Sequence, residues 1–265
     1  MSRKVLFLHL PKTSGTSLKL FLKDQLGDFF IQANTAQQLR KGDPLLGRVR
    51  DLDDIRAVLD SHAGLALHVD SSFSDERRTT DYRSLAHYVF DERYAEYFGE
   101  LLILTMMRRP FERFLSEFAF LQRAKAADPG FLPDLELDTP DAYLERVHAN
   151  PTLHFLLQED LDRARSFDGR DLEKVEKAIV ALPVHIGVYE RYEESIDYFS
   201  VLLGRRFSVD DLPRFNVGRG APARDPRLER AFAERNPLDG ALYETAQRRL
   251  DEWLASAATE SEPSV

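Results

Sequence analysis

A chain of 265 residues, 43% hydrophobic and 31% charged, is long enough to bury a substantial core, and a single α/β domain is the first expectation. Its formal net charge of −9 excludes a nucleic-acid binder working through bulk electrostatics, and makes a strongly polyanionic acceptor unnatural unless a local basic cleft overrides the average. Cysteine is absent, which excludes disulfides, thiolate metal sites and a cysteine nucleophile and fits a reducing compartment.

Val5 to Leu10 is a compact apolar run, the pattern of a strand buried on both faces. It is too short for the apolar region of a signal peptide, and Pro11 and Lys12 end it abruptly. No stretch approaches the ~20 apolar residues of a membrane span, so the cytoplasm, of a bacterium, is the expected address. Pro11 to Thr16 reads as a loop, and Ser17 to Leu26 as a helix with Leu18, Phe21, Leu22 and Leu26 at helical spacing. Residues 32–50 read as irregular. Leu52 to His62 reads as an amphipathic helix, Leu65 to Val69 as a second strand, and the polar stretch Ser71 to Arg83 as a surface loop or lid.

Leu101 to Met106 is a third apolar strand, and Pro110 sits where proline favours the first turn of a helix. That helix places Phe111, Phe114, Leu115, Phe118 and Leu121 on one face. Ala127 to Pro140, rich in proline and acid, reads as an insertion. Helices are expected at 141–149, 153–162, 172–182, 190–203 and 237–255, with a fourth strand at Val184 to Val188. The spacing predicts one domain over 1–255 and a disordered tail at 256–265. Four short strands separated by helices predict right-handed crossovers and a mainly parallel central sheet flanked by helices.

Two strand-to-helix junctions carry the chemistry. In Pro11-Lys-Thr-Ser-Gly-Thr-Ser17, Gly15 lets the backbone approach an anion, Thr13, Ser14, Thr16 and Ser17 offer hydroxyls, and Lys12 offers a mobile charge. A plain helix N-cap is the bland reading of the same residues. The lysine precedes the glycine and no glycine lies upstream in the loop, so the Walker A order of nucleotide-triphosphate sites is missing. In Thr105-Met-Met-Arg-Arg-Pro-Phe-Glu-Arg-Phe-Leu-Ser116, Arg108 stands at the strand exit with a fork suited to phosphate. Arg113 and Ser116 lie three apart, able to share a helix face. Solvated arginines on an amphipathic helix are the bland alternative.

The order His9-Leu-Pro-Lys-Thr-Ser-Gly-Thr-Ser-Leu18 resembles the 5′-phosphosulfate loop of sulfotransferases, most of all the carbohydrate enzymes of the heparan sulfate 2-O type and their bacterial relatives. The second segment resembles the family's 3′-phosphate segment, Arg-x-Pro-x-x-Arg-x-x-Ser, with Arg109 where relatives often carry aspartate. The resemblance implies a P-loop-like three-layer fold and a metal-independent sulfotransferase using 3′-phosphoadenosine 5′-phosphosulfate (PAPS), with adenosine 3′,5′-bisphosphate (PAP) as product. It implies that Lys12 bonds the oxygen bridging phosphate and sulfate. Amides and hydroxyls of Thr13, Ser14, Gly15, Thr16 and Ser17 hold the 5′-phosphate, and Arg108 and Ser116 hold the 3′-phosphate with Arg113 in support.

His68 ends the second strand at the edge where both segments emerge and looks like the family's catalytic histidine, although Leu67 stands where relatives carry glycine. A strand-end histidine bonded in the core is its bland reading, and His9 is the runner-up base. Gly187-Val-Tyr-Glu-Arg-Tyr-Glu-Glu-Ser195 resembles a later strand-to-helix segment, in which Glu190 is read as structural. Asn216-Val-Gly-Arg-Gly220 resembles a late loop over the nucleotide, so that Arg219 adds a phosphate contact. Asn236-Pro-Leu-Asp239 resembles the opening of the final helix, with Asn236 as its N-cap. The acceptor implied is a hydroxyl, on a glycan. The rival readings are a P-loop small-molecule kinase and a nucleotide-binding relative without turnover.

Overall fold

The structure is a computed structural model that describes residues 4–14, 16–19, 22, 32–33, 52–61, 64–68, 85–128, 130, 137–157, 167–205, 210 and 224–260. Among the described residues five strands form a sheet: β1 (Val5–His9), β2 (Gln32–Ala33), β3 (Gly64–His68), β4 (Leu102–Met107) and β5 (Val184–Val188). They lie in the order β2-β3-β1-β4-β5, and every described pair is parallel. All residues of β1 and β4 are buried, as continuous apolar runs in a covered parallel sheet must be. The helices are α1 (Leu52–Ser61), α2 (Ala95–Gly99), α3 (Pro110–Ala127), α4 (Pro140–Arg146), α5 (Pro151–Leu157), α6 (Gly169–Ala181), α7 (Tyr192–Leu202), α8 (Pro226–Arg235) and α9 (Pro237–Glu260).

Chain direction across the sheet positions the site. β1 leads to β2 on one side, whereas β4 leads to β5 on the other, so the adjacent strands β1 and β4 flank a topological switch point. In an open parallel sheet a crevice opens there, outside the carboxyl ends of the strands. Right-handed crossovers in opposite directions also put the connecting helices on both faces. The result is the three-layer, P-loop-like α/β fold expected from the sequence. Among the described residues, no helix is long and apolar enough to cross a membrane.

Two apolar clusters hold the chain together. The larger unites β1, β3, β4 and β5 with α1, α5, α6, α7 and α9. The smaller is built by the apolar face of α3, with Phe111, Phe114 and Phe118 packed on Tyr143 of α4 and Phe232 of α8. That face therefore covers neighbouring helices, and the opposite side of α3 is left to meet the strand exits. Gly187 in β5 has a packing reason: a Cβ there would lie 2.9 Å from Phe199 Cζ and 3.0 Å from the Met106 sulfur.

The strand expectations stand within a residue or two, but the number of strands does not. β2 falls in the segment read as irregular, because two residues hydrogen-bonded to an edge need no apolar run; Gln32 pairs with Ala66 and Ala33 with Leu67. α2 and the short 3₁₀ turns before it, and α8, went unassigned. α8 nonetheless carries a helix-start signal, since the Asp225 side chain accepts the Arg227 amide at 2.8 Å and Pro226 follows it. The final helix continues to Glu260, past the expected end at 255, through an alanine-rich stretch of good helix formers. The helix expected from Glu190 begins instead at Tyr192, after a 3₁₀ turn over Tyr189–Arg191. Residues 261–265, Gly15, Arg219, His62, the segments 71–83 and 34–50, most of 129–136, most of the helix expected at 17–26 and the end of that expected at 153–162 lie outside the described residues.

Candidate active site

The loop after β1 is held in an unusual backbone. Lys12 and Ser14 have φ of +65° and +66°, a left-handed conformation that costs a residue with a side chain about 1 kcal/mol. The loop is braced from within, because the buried Thr13 hydroxyl donates to the Leu10 carbonyl at 2.9 Å. The Ser14 carbonyl then accepts the Ser17 amide at 3.1 Å and starts the helical residues 16–19. Ser17 is buried, while Ser14 and Thr16 are half-buried. The hydroxyls expected as one equivalent set therefore differ: that of Thr13 spends its proton on the loop itself.

The second segment leaves β4 beside this loop. β1 and β4 run in register, Leu8 opposite Thr105, and the Thr105 hydroxyl donates to the Leu8 carbonyl at 2.9 Å. Arg108 then reaches across to the first loop, with its Nη1 3.4 Å from the Lys12 carbonyl oxygen. Its guanidinium lies 4.6 Å from the centre of the Tyr189 ring, and its Nε is buried with no hydrogen-bond partner among the described residues. A buried guanidinium N–H without an acceptor is a donor poised for an anion.

The Lys12 ammonium lies 4.3 Å from the centre of the Phe120 ring on α3, one turn beyond the half-buried Ser116. Phe120 is 43% exposed, so an aromatic surface adjoins the lysine at the mouth of the site. Burial pushes the Lys12 pKa down to about 8; Glu117 opposes the shift, and Arg123, Arg108 and Arg113 add to it. A cation in this position is uncomfortable without an anion, which is the electrostatic definition of a prepared anion site.

Arg113 is 1% exposed, where sequence left open a solvated arginine. It pairs with Glu117 at 3.1 Å, lies over the Phe155 ring at 5.2 Å and leaves its own Nε without a partner among the described residues. It therefore supports α3 from inside the core. His68 ends β3 with its Cα paired to that of His9, at the same sheet edge as Lys12 and Arg108. His9 is buried and stacks on Phe7. The structure thus brings Lys12, Arg108 and the backbone of His68 to one edge, with Ser116 one turn before Phe120 on α3. Phe120, which no sequence pattern announced, joins them, as does Tyr189 from the Gly187–Ser195 segment.

No protein-family model matches the chain, and no curated protein matches it in sequence. Among solved structures, it is similar to mouse sulfotransferase SULT7A1 complexed with PAP, with 12% identity and a TM-score of 0.46 over 92% of this chain and 89% of that one.

Proposed function

We propose that the chain is a sulfotransferase that moves a sulfuryl group from PAPS to an acceptor hydroxyl on a carbohydrate, releasing PAP and needing no metal. The observation that carries the reading is the meeting of two basic strand exits at one switch point, with the Arg108 guanidinium 3.4 Å from the backbone of Lys12. A donor carrying phosphate at both its 5′ and 3′ positions needs two such anion sites side by side.

In this reading the acceptor oxygen attacks sulfur, the bond from sulfur to the bridging oxygen breaks, and the leaving PAP keeps that oxygen. Lys12 stabilises the charge that develops there. The Thr13–Ser17 loop, including Gly15, holds the 5′-phosphate; Arg108 and Ser116 hold the 3′-phosphate, with Arg113 supporting them from the core and Arg219 adding a contact. His68 takes the acceptor's proton. Residues 1–255 form the catalytic domain, acting in the cytoplasm. The likeness to heparan sulfate 2-O-type enzymes belongs to the same reading.

Thermal melting tests the donor. PAP at about a hundred times its dissociation constant should raise the melting temperature by about 5–10 °C, while ATP with magnesium should not. The reverse pattern overturns the reading in favour of a kinase. Binding of PAP without transfer of labelled sulfate to any acceptor in a broad glycan panel leaves a non-catalytic binder. His68→Ala should cost at least ~10²-fold in transfer with PAP affinity nearly intact, and full activity in that variant removes His68 as the base.

A further inference from the structure

We infer that Glu190 is a positioning residue for the 3′-phosphate side of the site, acting as a long-range cap that fixes the strand exit from which Arg108 projects. The inference rests on the sulfotransferase reading and goes beyond the structural role that sequence assigned to Glu190.

Arg109, the N-cap of α3, makes no side-chain cap hydrogen bond, because a guanidinium offers no acceptor to the first amides of the helix. In a capping box, the N3 residue reaches back to the backbone N–H of the N-cap. The N3 residue of α3 is Glu112, but its carboxylate is engaged by Arg224 at 2.6 Å. The missing partner comes from the 3₁₀ turn after β5: Glu190 Oε1 accepts the Arg109 amide at 2.9 Å, across 81 residues of sequence.

The same carboxylate is anchored from behind. Glu190 Oε2 accepts the Tyr243 hydroxyl of α9 at 2.7 Å, and burial together with Glu190 pushes the Tyr243 pKa far above its ordinary value, keeping that hydroxyl a donor. Tyr189, beside Glu190, carries the ring on which the Arg108 guanidinium lies. One short turn after β5 therefore sets both the backbone just after Arg108 and the surface beneath its side chain. A carboxylate so close to an anion site repels phosphate, while the N-terminal end of α3 attracts it.

Calorimetric binding of PAP and of adenosine 5′-phosphosulfate, which lacks the 3′-phosphate, separates the roles. Glu190→Ala should weaken PAP about tenfold or more and leave adenosine 5′-phosphosulfate within about threefold of wild type. Glu190→Gln, which keeps an acceptor for the Arg109 amide, should bind PAP within about threefold of wild type. Equal weakening of both nucleotides in Glu190→Ala means a merely structural role and overturns the inference. So does PAP binding in Glu190→Ala as tight as, or tighter than, in wild type. Wild-type protein that fails to bind PAP at all overturns the sulfotransferase reading instead, and the two failures are told apart by that first titration.

Discussion

Replacing Lys12 by alanine should lower kcat/KM for sulfuryl transfer by ~10³-fold while leaving thermal stability unchanged or slightly raised. The activity loss follows from removing the cation that meets the leaving oxygen, where one preorganised donor is worth ~10²- to 10³-fold. The stability result follows from the ground state. Lys12 is a partly buried ammonium whose pKa burial has lowered to about 8, so folding disfavours its charged form. Its left-handed φ of +65° strains alanine no more than lysine. A large drop in melting temperature would mean that Lys12 holds the loop together, and the anion-site account would fail.

The same lysine sets a pH dependence whose sign is fixed. Its folded pKa of about 8 lies below the ordinary 10.5, so the free protein keeps the ammonium below pH 8 and loses it above. A bound anion favours the charged form, so binding above pH 8 must take up a proton. PAP affinity should therefore fall as pH rises from 8 towards 10, by up to about tenfold per pH unit. Lys12→Ala should bind more weakly and lose this slope. Calorimetry in two buffers of different ionisation enthalpy counts the proton; wild type taking up none at pH 9 would refute the assignment.

The parts legible in sequence were those a short window can carry. β1 and β4 are runs buried on both faces, and β5 is buried but for the half-exposed His185, so composition alone betrays them. Lys12 and Arg108 stood out because each follows such a run directly. What stayed hidden depends on partners far along the chain. The burial of Arg113 is decided by Phe155 on α5 and by Glu117, one turn away and itself buried. The Phe120 ring under Lys12 looks like any aromatic of an amphipathic helix until the loop is folded over it. Glu190 acts through Arg109 and Tyr243, neither nearby in sequence. β2 has no sequence signature, because its edge pairing is made by backbone alone.

Asp239→Ala should destabilise the fold by about 3–5 kcal/mol in chemical denaturation, although Asp239 touches none of the proposed ligand-binding side chains. Its buried carboxylate accepts the Thr152 amide at 2.8 Å and the Leu153 amide at 2.9 Å, two of the first amides of α5. The cap is reciprocal. The Asn150 side chain accepts the Leu238 and Asp239 amides at 2.9 and 3.2 Å, and the Asn150 amide donates to the Asn236 side chain at 2.7 Å. Each helix start is thus closed by a side chain from the other, with Asn150 held at a φ of +51° to do it. Alanine would leave two buried amides without acceptors, at about 1–3 kcal/mol each. Burial raises the Asp239 pKa, and the bonds from the Leu153 and Thr152 amides oppose that shift only in part. Asparagine, keeping one acceptor but turning a donor towards the second amide, should fall between wild type and alanine. The interlock also reaches the site, since α5 carries Phe155 beneath Arg113 and α9 carries Tyr243, one turn beyond Asp239, against Glu190. Asp239→Ala should therefore weaken PAP binding even at temperatures where the variant remains folded. Unchanged stability in Asp239→Ala would show that the two helix starts are satisfied some other way.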